Sequence, residues 1–475
     1  MKPPLILALL CSVTLLNAQS IPDFAPARYI DTIPSGIYQV INSRYKKEVD
    51  NIKASPANKS QVKARYKGLF DETISKFNDD HMMVQSEITE YLTAILERVA
   101  QANNLSPKDV NIYAFRTEVP NAVCYGNGVL SVMLGLLARL DTDDQVAYVV
   151  CHELGHHLAK DNLRGIENTI AMINDKDTRK NLNKARRSSY YSYSRTRDIL
   201  DQLDFDFTRH SRAHEYSADS AGLILYLKAG YDPDSALKLL QILGKADEDH
   251  YAPLDLEKFL TAQGIKPEPS WLQYANENKW HKDRKRPDSL RTHPNTTERT
   301  IAVSRLLSNM GYTYEGLNAP KELRGNVYKT RAQFEMVEAE FHFKHYSRAL
   351  YNSIQLSLMY PDDPWLKAMT GRCLYEIYTR QKNHTLGKSL DLPDALYSES
   401  YNKLLTFLHK LRLVEIELIT YQYMTGQPES AYKNEHFIYS LWLASNLGVS
   451  KLDPEKVRED YMSLFPNGTY ARLMK

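Results

Sequence analysis

The chain of 475 residues is poor in cysteine, nearly neutral in charge and free of long apolar runs after its N-terminal stretch. Its cysteines number 4, and three of them follow that stretch; an odd number argues against a framework of disulfides. The formal net charge is +2, which gives no reason to expect nucleic acid or an anionic membrane as the main partner. No later segment has about 18 consecutive apolar residues, so no transmembrane segment is expected in the mature chain.

The N-terminal stretch has the composition of a secretory signal peptide over residues 1–20. Lys2 provides the positive start, residues 5–16 are largely apolar, and the end of the segment offers small residues for cleavage. We therefore expect an exported protein, located in the periplasm if its source has two membranes and outside the cell otherwise. A lipid anchor on Cys11 is the less favoured alternative, because Leu10 before it is too large for a good lipidation site.

The pattern His152-Glu153-Leu154-Gly155-His156 is the part of the sequence most closely tied to a chemistry. Residues four apart lie one above the other on a helix face, so both imidazoles can reach one metal ion. The bare pattern also occurs in helices that carry two ordinary surface histidines. Here an apolar run opened by two acids precedes it, which indicates a buried helix. Glu153 is then close enough to act as a general base in hydrolysis.

A hydrolytic zinc site needs more than two histidines. Such sites take three protein ligands and leave one position for water. Glu215, in the segment over residues 211–219, is the best candidate for the third ligand. Cys151 is expected to be a small core residue and not a ligand, because neighbouring residues of a helix point in different directions.

Hydrophobic periodicity predicts a mixed first part of the chain. A helix is predicted over residues 84–103, a strand over 110–115 and a hairpin over 123–132. Residues 21–80 are mixed, and their polar segment over residues 41–60 is predicted to be a helix with a loop after it. Residues 162–210 are charged and rich in tyrosine. We favour a solvated helical excursion there over the alternative, a lid on the cleft.

From about Gly325 the pattern becomes purely helical. The first two helices are predicted over residues 332–343 and 346–359, and small and aromatic residues recur as in tetratricopeptide-type (TPR-like) repeats. The alternative is a generic helical bundle that supports the first domain. Stacked helix pairs form a concave surface, so residues 325–475 are our candidate for docking a partner protein.

Together these segments resemble the zinc metallopeptidase family of the CAAX prenyl endopeptidases, the HtpX membrane protease and the periplasmic BepA-type proteases. The resemblance covers roughly residues 85–305. Four segments carry it: Asn121-Ala122 with the glycine hairpin and Gly135-Leu136-Leu137; His152 to His157; Ser211 to Asp219; and Thr292-His293-Pro294 with Arg299. The signal peptide, the protease domain without membrane helices and the helical tail are most similar to the BepA-type subgroup.

The resemblance implies a two-domain architecture. After the signal peptide it gives an α+β zincin-like metallopeptidase domain over residues 21–320, mainly helical with a small sheet. An all-α TPR-like domain over residues 325–475 follows.

The resemblance also implies the roles of individual residues. One zinc ion per chain would be bound by His152, His156 and Glu215, with Glu153 as the catalytic base. Asp219 would orient a ligating histidine through its second ring nitrogen. Asn121 and Ala122 would belong to an edge strand onto which an extended substrate adds.

His293 has several interpretations. It would stabilise the oxyanion, or occupy the open zinc position in a resting state; otherwise it is an ordinary loop histidine before a proline.

The expected reaction is hydrolysis of peptide bonds in extended or misfolded exported proteins, in envelope protein quality control. An envelope protein would be the partner of residues 325–475. The alternative function is a chaperone-like assembly factor that binds partners through its helical tail and cleaves rarely. The intact Glu153 favours the enzyme, because a pure binding module would not need that base.

Overall fold

The computed structural model describes residues 24–176, 180, 212–272, 296–312, 325–394 and 396–474. The predicted signal peptide and His293 lie outside these ranges. Of the predicted excursion over residues 162–210, the described part is residues 162–176 and Lys180.

The first part of the chain combines a small sheet with helices, as the periodicity predicted. The strands are β1 (Met82–Met83), β2 (Asn111–Phe115), β3 (Ala122–Gly126) and β4 (Val129–Met133). The helices are α1 (Ser35–Asp50), α2 (Pro56–Asn78), α3 (Glu87–Ala102), α4 (Leu134–Leu137), α5 (Asp143–Ala159), α6 (Asp161–Asn174), α7 (212–228), α8 (Pro233–Gly244), α9 (Leu256–Ala262) and α10 (Thr296–Asn309).

The four strands form one mixed sheet in the order β1-β2-β4-β3. β2 and β4 are parallel, with Asn111 opposite Val129, and β1 pairs antiparallel with β2. β3 and β4 form the predicted hairpin, and their antiparallel pairing places Ala122 opposite Val132. β3 is therefore an edge strand, with one side paired to β4 and the other side facing the helices that follow.

The core of this first part lies between the sheet and the helices α3, α5, α7 and α8. α3 begins at Ser86, whose hydroxyl accepts the N–H of Thr89 at 3.1 Å, and its apolar residues fall on one face. Cys151 lies in this core, as predicted. The cysteines of the described residues, Cys124, Cys151 and Cys373, are all buried and free.

The C-terminal part is helical throughout its described residues, which confirms the predicted change of pattern. Its helices are α11 (Lys329–His342), α12 (Tyr346–Met359), α13 (Pro364–Lys382), α14 (Glu399–Lys410), α15 (Leu413–Thr425), α16 (Glu435–Ser445) and α17 (Pro454–Leu464). α13 is the central helix and packs against α12, α15 and α16. Regular repeats would instead stack each helix on the next, so the TPR-like arrangement is not confirmed and residues 325–475 are described as a helical region.

The two parts share packing. Ala332 and Met336 of α11 belong to the core of the first part, whereas the segment over residues 254–271 packs among the C-terminal helices. The division at residues 320–325 stays a prediction. None of the described helices is both long and apolar enough to cross a membrane.

Candidate metal centre

Helix α5 carries the histidine pair into the interior. It begins at Thr142, whose hydroxyl accepts the N–H of Gln145 at 3.3 Å, and two aspartates occupy its first turn. Every residue from 145 to 155 is buried. His152 is 6% exposed and Glu153 is 2% exposed, so the prediction of a buried helix is confirmed.

Helix α7 crosses α5 at very short range, and two glycines make this contact sterically feasible. A Cβ atom on Gly155 would lie 2.9 Å from the backbone oxygen of Ala218, and one on Gly222 would lie 2.9 Å from that of Cys151. The close crossing places Glu215, which is 5% exposed, opposite the two histidines.

His152, His156 and Glu215 bring three ligand atoms together. The two Nε2 atoms are 3.1 Å apart, and the carboxylate oxygens of Glu215 lie 3.5 Å from Nε2 of His152 and 3.4 Å from Nε2 of His156. Ligand atoms held about 2.0–2.1 Å from zinc at tetrahedral angles stand about 3.3 Å apart. The donor set and its spacing therefore fit one zinc ion, with the fourth position free for water or substrate.

Each histidine has its own carboxylate partner at Nδ1. Nδ1 of His152 lies 2.9 Å from Asp219, and Nδ1 of His156 lies 2.7 Å from Asp161. A proton on Nδ1 that is donated to a carboxylate leaves the lone pair of Nε2 for a metal. The same hydrogen bonds act on the pKa of His156: burial lowers it, but Asp161 and Glu215 outweigh burial and raise it to about 10. Because a ligating imidazole is neutral, metal binding here is coupled to proton release.

Arg299 of α10 connects Asp219 to the ligand Glu215. Its guanidinium donates two hydrogen bonds of 2.7 Å to Asp219, and its third nitrogen lies 3.1 Å from Glu215. Burial raises the pKa of Asp219, but the hydrogen bonds from Arg299 and His152 outweigh burial and lower that pKa to about 2. Asp219 therefore stays ionised, which fixes the ring of His152.

A cavity of about 610 Å³ opens at the triad. Its wall includes Glu153, His156, Glu215 and residues 121–124, of which Ala122 to Cys124 belong to the edge strand β3 and Asn121 directly precedes it. Asn121, Ala122 and Glu153 also line a much smaller cavity of about 20 Å³, whose wall includes His152. The strand predicted to meet substrate thus lies beside the predicted base.

The edge of β3 is partly covered. Asn121 accepts a hydrogen bond from Met133 of β4, so by the alternation of an antiparallel ladder the N–H and C=O groups of Ala122 and Cys124 point away from β4. The amide of Asn162 on α6 donates to the Cys124 carbonyl at 2.8 Å. An added strand can therefore pair with Ala122, while α6 covers the edge at Cys124.

Sequence reasoning missed two parts of this centre. Asp161 was not considered, and Arg299 was noted without a role. Asp161 reaches His156 because Lys160 between α5 and α6 adopts a left-handed conformation with φ of 56°, which a spacing rule for helices does not anticipate. The signal available was an acid five residues after the second histidine. His293 lies outside the described residues, and its role stays a prediction.

Comparisons with known proteins agree with this geometry. Residues 86–307 match the sequence model of peptidase family M48. The chain is 23% identical over 184 residues to mitochondrial metalloendopeptidase OMA1 of Schizosaccharomyces pombe, which covers 38% of this chain and 50% of that protein. It is 33% identical over 133 residues to mitochondrial metalloendopeptidase OMA1 of Arabidopsis thaliana, which covers 28% of this chain and 25% of that protein. The chain thus spans half or less of the length of these relatives.

Proposed function

We propose that the whole chain is a zinc-dependent endopeptidase, because residues 86–307 match the model of peptidase family M48 and carry a buried metal-binding triad. The observation that carries this proposal is a buried set of three ligand atoms beside a carboxylate that shares a cavity wall with two of the ligand residues, His156 and Glu215. His152, His156 and Glu215 present ligand atoms at zinc spacing, and Glu153 lies in the same cavity wall.

Zinc at this triad would lower the pKa of a bound water to about 7 and would act as a Lewis acid on the substrate carbonyl. The carboxylate of Glu153 accepts the proton of the attacking water and then delivers it to the nitrogen of the leaving amine. Asp161 and Asp219 hold the two imidazoles in one tautomer throughout. Arg299 contacts both Asp219 and Glu215, and its positive charge partly compensates these two buried acidic side chains.

The substrates that we propose are extended segments of misfolded exported proteins. The free side of β3 supports this class, because an edge strand recognises the backbone of an extended peptide and cannot receive a folded domain. The relatives bear the name metalloendopeptidase, which agrees with cleavage inside a chain. Export and envelope protein quality control rest on the composition of residues 1–20 and on the resemblance to the BepA-type proteases.

The alternative is a chaperone-like assembly factor that docks an envelope protein on residues 325–475 and cleaves rarely. The buried base next to three metal ligands favours the enzyme, since binding alone requires none of these groups. A protein partner of residues 325–475 remains part of both proposals.

The direct test is Glu153→Gln, which keeps the size and hydrogen-bonding capacity of the side chain and removes the base. We expect cleavage of a labelled, chemically unfolded protein to fall by at least about 100-fold, because general acid–base catalysis contributes about 10²–10⁴-fold. Zinc content should stay at one ion per chain. Glu97→Gln, at an exposed position of α3, is the matched control and should cleave like the wild type. Wild-type cleavage rates in Glu153→Gln would reject the mechanism.

A further inference from the structure

The cavity at the triad extends well beyond the space that a peptide backbone needs. It continues between α2 and α6, two helices that pack through a cluster containing Val62, Tyr66, Leu163 and Ile170. Cavities of about 300–1,000 Å³ hold whole small ligands, so one of about 610 Å³ has room for a long aliphatic or aromatic side chain.

Two regular stripes of side chains form the walls of this extension. On α2 the lining residues are Gln61, Arg65 and Leu69, which are four apart and share a helix face. On α6 the apolar lining residues are Ile166, Ile170, Met172 and Ile173. Gln61, Arg65 and Ile173 are exposed at the rim, whereas Leu69, Ile166 and Ile170 give the slot an apolar interior.

The α2 wall does not come from the family domain. Residues 61–69 precede the matched range of 86–307, so this wall is a feature of this chain beyond the metal centre. The amide of Asn174 on α6 donates hydrogen bonds of 3.0 and 2.9 Å to Asn58 and Gln61, which ties the two helices together along the slot.

Gly165 keeps the slot open. It lies in the wall on α6, one turn after Asp161, and a Cβ atom built on it would meet no heavy atom within 4 Å. A glycine in the middle of a helix is unfavourable for helix formation, and no contact requires it at this position. The space that it leaves is continuous with the cavity that holds Glu153 and His156.

We propose that the slot between α2 and α6 is a substrate side-chain subsite that selects large apolar residues, with Gly165 as the residue that determines its size. This inference rests on the proposed endopeptidase function. A peptide paired with Ala122 has side chains alternating between two faces, and the slot receives one of them next to the cleavage site. Leucine, isoleucine, methionine and phenylalanine match its walls in polarity and size.

The test compares Gly165→Leu with Gly68→Leu in the full-length chain. Gly68 is also a helix glycine with open space around it, but it is exposed on α2 and outside the cavity wall. A peptide library is cleaved by each protein, and the products are sequenced by mass spectrometry. We expect the wild type and Gly68→Leu to favour large apolar residues at one position relative to the cut. Gly165→Leu should lose about 10- to 200-fold in kcat/KM on those peptides and retain cleavage where that residue is alanine or glycine. Identical preferences in Gly165→Leu and the wild type would overturn the proposal.

A binding measurement separates this inference from the proposed function. The same two substitutions are made in the Glu153→Gln protein, and binding of an uncut, fluorescent peptide with leucine at the selected position is measured. If no peptide of the library is cleaved, the selected position is unknown, and a series of fluorescent peptides with leucine at each position in turn is used for the binding measurement. We expect at least about tenfold weaker binding with Gly165→Leu and no change with Gly68→Leu, whether or not the wild type cleaves. Peptide binding without cleavage by the wild type would reject the proposed function alone. Peptide binding that is unchanged by Gly165→Leu, or no peptide binding at all, would reject the subsite.

Discussion

At the scale of single residues, the metal centre is defined by how each histidine is oriented. Asp219 is buried and shared between His152 and Arg299, whereas Asp161 is half-buried and lies in the turn between α5 and α6. The two aspartates therefore fix the same kind of hydrogen bond in different surroundings. Removing Asp219 takes away one of the two carboxylates that compensate the positive charge of the buried Arg299. Removing Asp161 takes away the hydrogen-bond partner of Nδ1 of His156 and opens that atom to solvent.

We expect Asp161→Ala and Asp219→Ala each to weaken zinc binding by about 10–100-fold, because both carboxylates hold a ligating imidazole in its tautomer. Glu215→Ala, which removes a ligand, should lose more. Competition with a zinc-chelating dye measures all three. Asp219→Ala should also destabilise the fold by about 3–5 kcal/mol, because the buried guanidinium of Arg299 loses one of its two carboxylate partners, a cost that Asp161→Ala lacks. Unchanged zinc affinity in Asp161→Ala would remove that residue from the centre.

The residues that the sequence predicted are those with a fixed spacing. His152, Glu153 and His156 lie within two turns of one helix, so local geometry alone brings them together. Glu215 could be proposed because a third ligand was missing. Asp161 depends on the left-handed Lys160, and the position of Arg299 depends on how α10 packs, and neither is encoded in local periodicity.

At the scale of elements, β3 and α5 are the two that we propose to act on the substrate backbone. The side of β3 that points away from β4 offers the N–H and C=O groups of Ala122, and Glu153 of α5 lies in the wall of the same cavity. Asn162 covers the next outward carbonyl, that of Cys124. The backbone that remains available to a substrate strand is therefore short and close to the metal ligands.

Ala122→Pro tests this role of β3. Proline removes the outward N–H and leaves the groups paired with β4 in place, since proline is tolerated on edge strands. We expect cleavage of unfolded protein to fall at least about tenfold, the value of one lost hydrogen bond to the substrate backbone. Zinc content should be unchanged and the melting temperature close to that of the wild type. Ala122→Ser, which keeps the N–H, should remain active; equal activity of the proline variant would show that substrate does not pair at this residue.

Elements with strong periodicity could be predicted, and weakly patterned ones could not. α3, β2 and the β3–β4 hairpin follow their apolar patterns. α1 was predicted only in part, as a helix within residues 41–60, and α2 was missed, because their buried residues are spread among many polar ones. Their apolar residues become buried through contacts with residues of β1, β2, β4 and α6, most of which lie far away in the sequence.

At the scale of the whole molecule, the N-terminal segment joins the two parts of the fold. The ring centroid of Phe24 lies 4.6 Å from that of Trp365 and 5.3 Å from that of Phe334. The N–H of Ala27 donates a hydrogen bond of 2.8 Å to the carboxylate of Glu335. Arg116 of the first part donates to the carbonyl of Ala27 at 3.0 Å. Local patterns could not predict this packing, because it connects residues that are hundreds of positions apart.

Glu335 makes this junction sensitive to pH. The side chain is 0% exposed, and burial raises its pKa to about 7, although Ala27, Arg116 and Arg331 act in the opposite direction. A carboxyl group with a higher pKa in the folded state stabilises the fold while it is protonated. This contribution to the free energy of unfolding is fully present below pH 4.5, the pKa of the unfolded chain, and is lost as the pH rises through about 7. The junction should therefore weaken between about pH 5 and pH 8.

Glu335→Gln keeps the acceptor for Ala27 and cannot ionise. At pH 8 we expect it to be more stable than the wild type by about 3 kcal/mol, since the pKa rises from 4.5 to about 7 and each pKa unit corresponds to about 1.4 kcal/mol. Urea unfolding between pH 5 and pH 8 measures this, and the difference should shrink toward pH 5. A difference that does not depend on pH would show that Glu335 is already ionised in the folded protein.

The central claim, one zinc ion at His152, His156 and Glu215 that drives peptide hydrolysis, is tested most directly by removing and restoring the metal. The full-length wild type is analysed for metal by mass spectrometry and assayed on unfolded protein before chelation, after chelation and after addition of one equivalent of zinc. We predict one zinc per chain, loss of cleavage on chelation and its return with zinc. Full cleavage by protein shown to contain no metal would contradict the account.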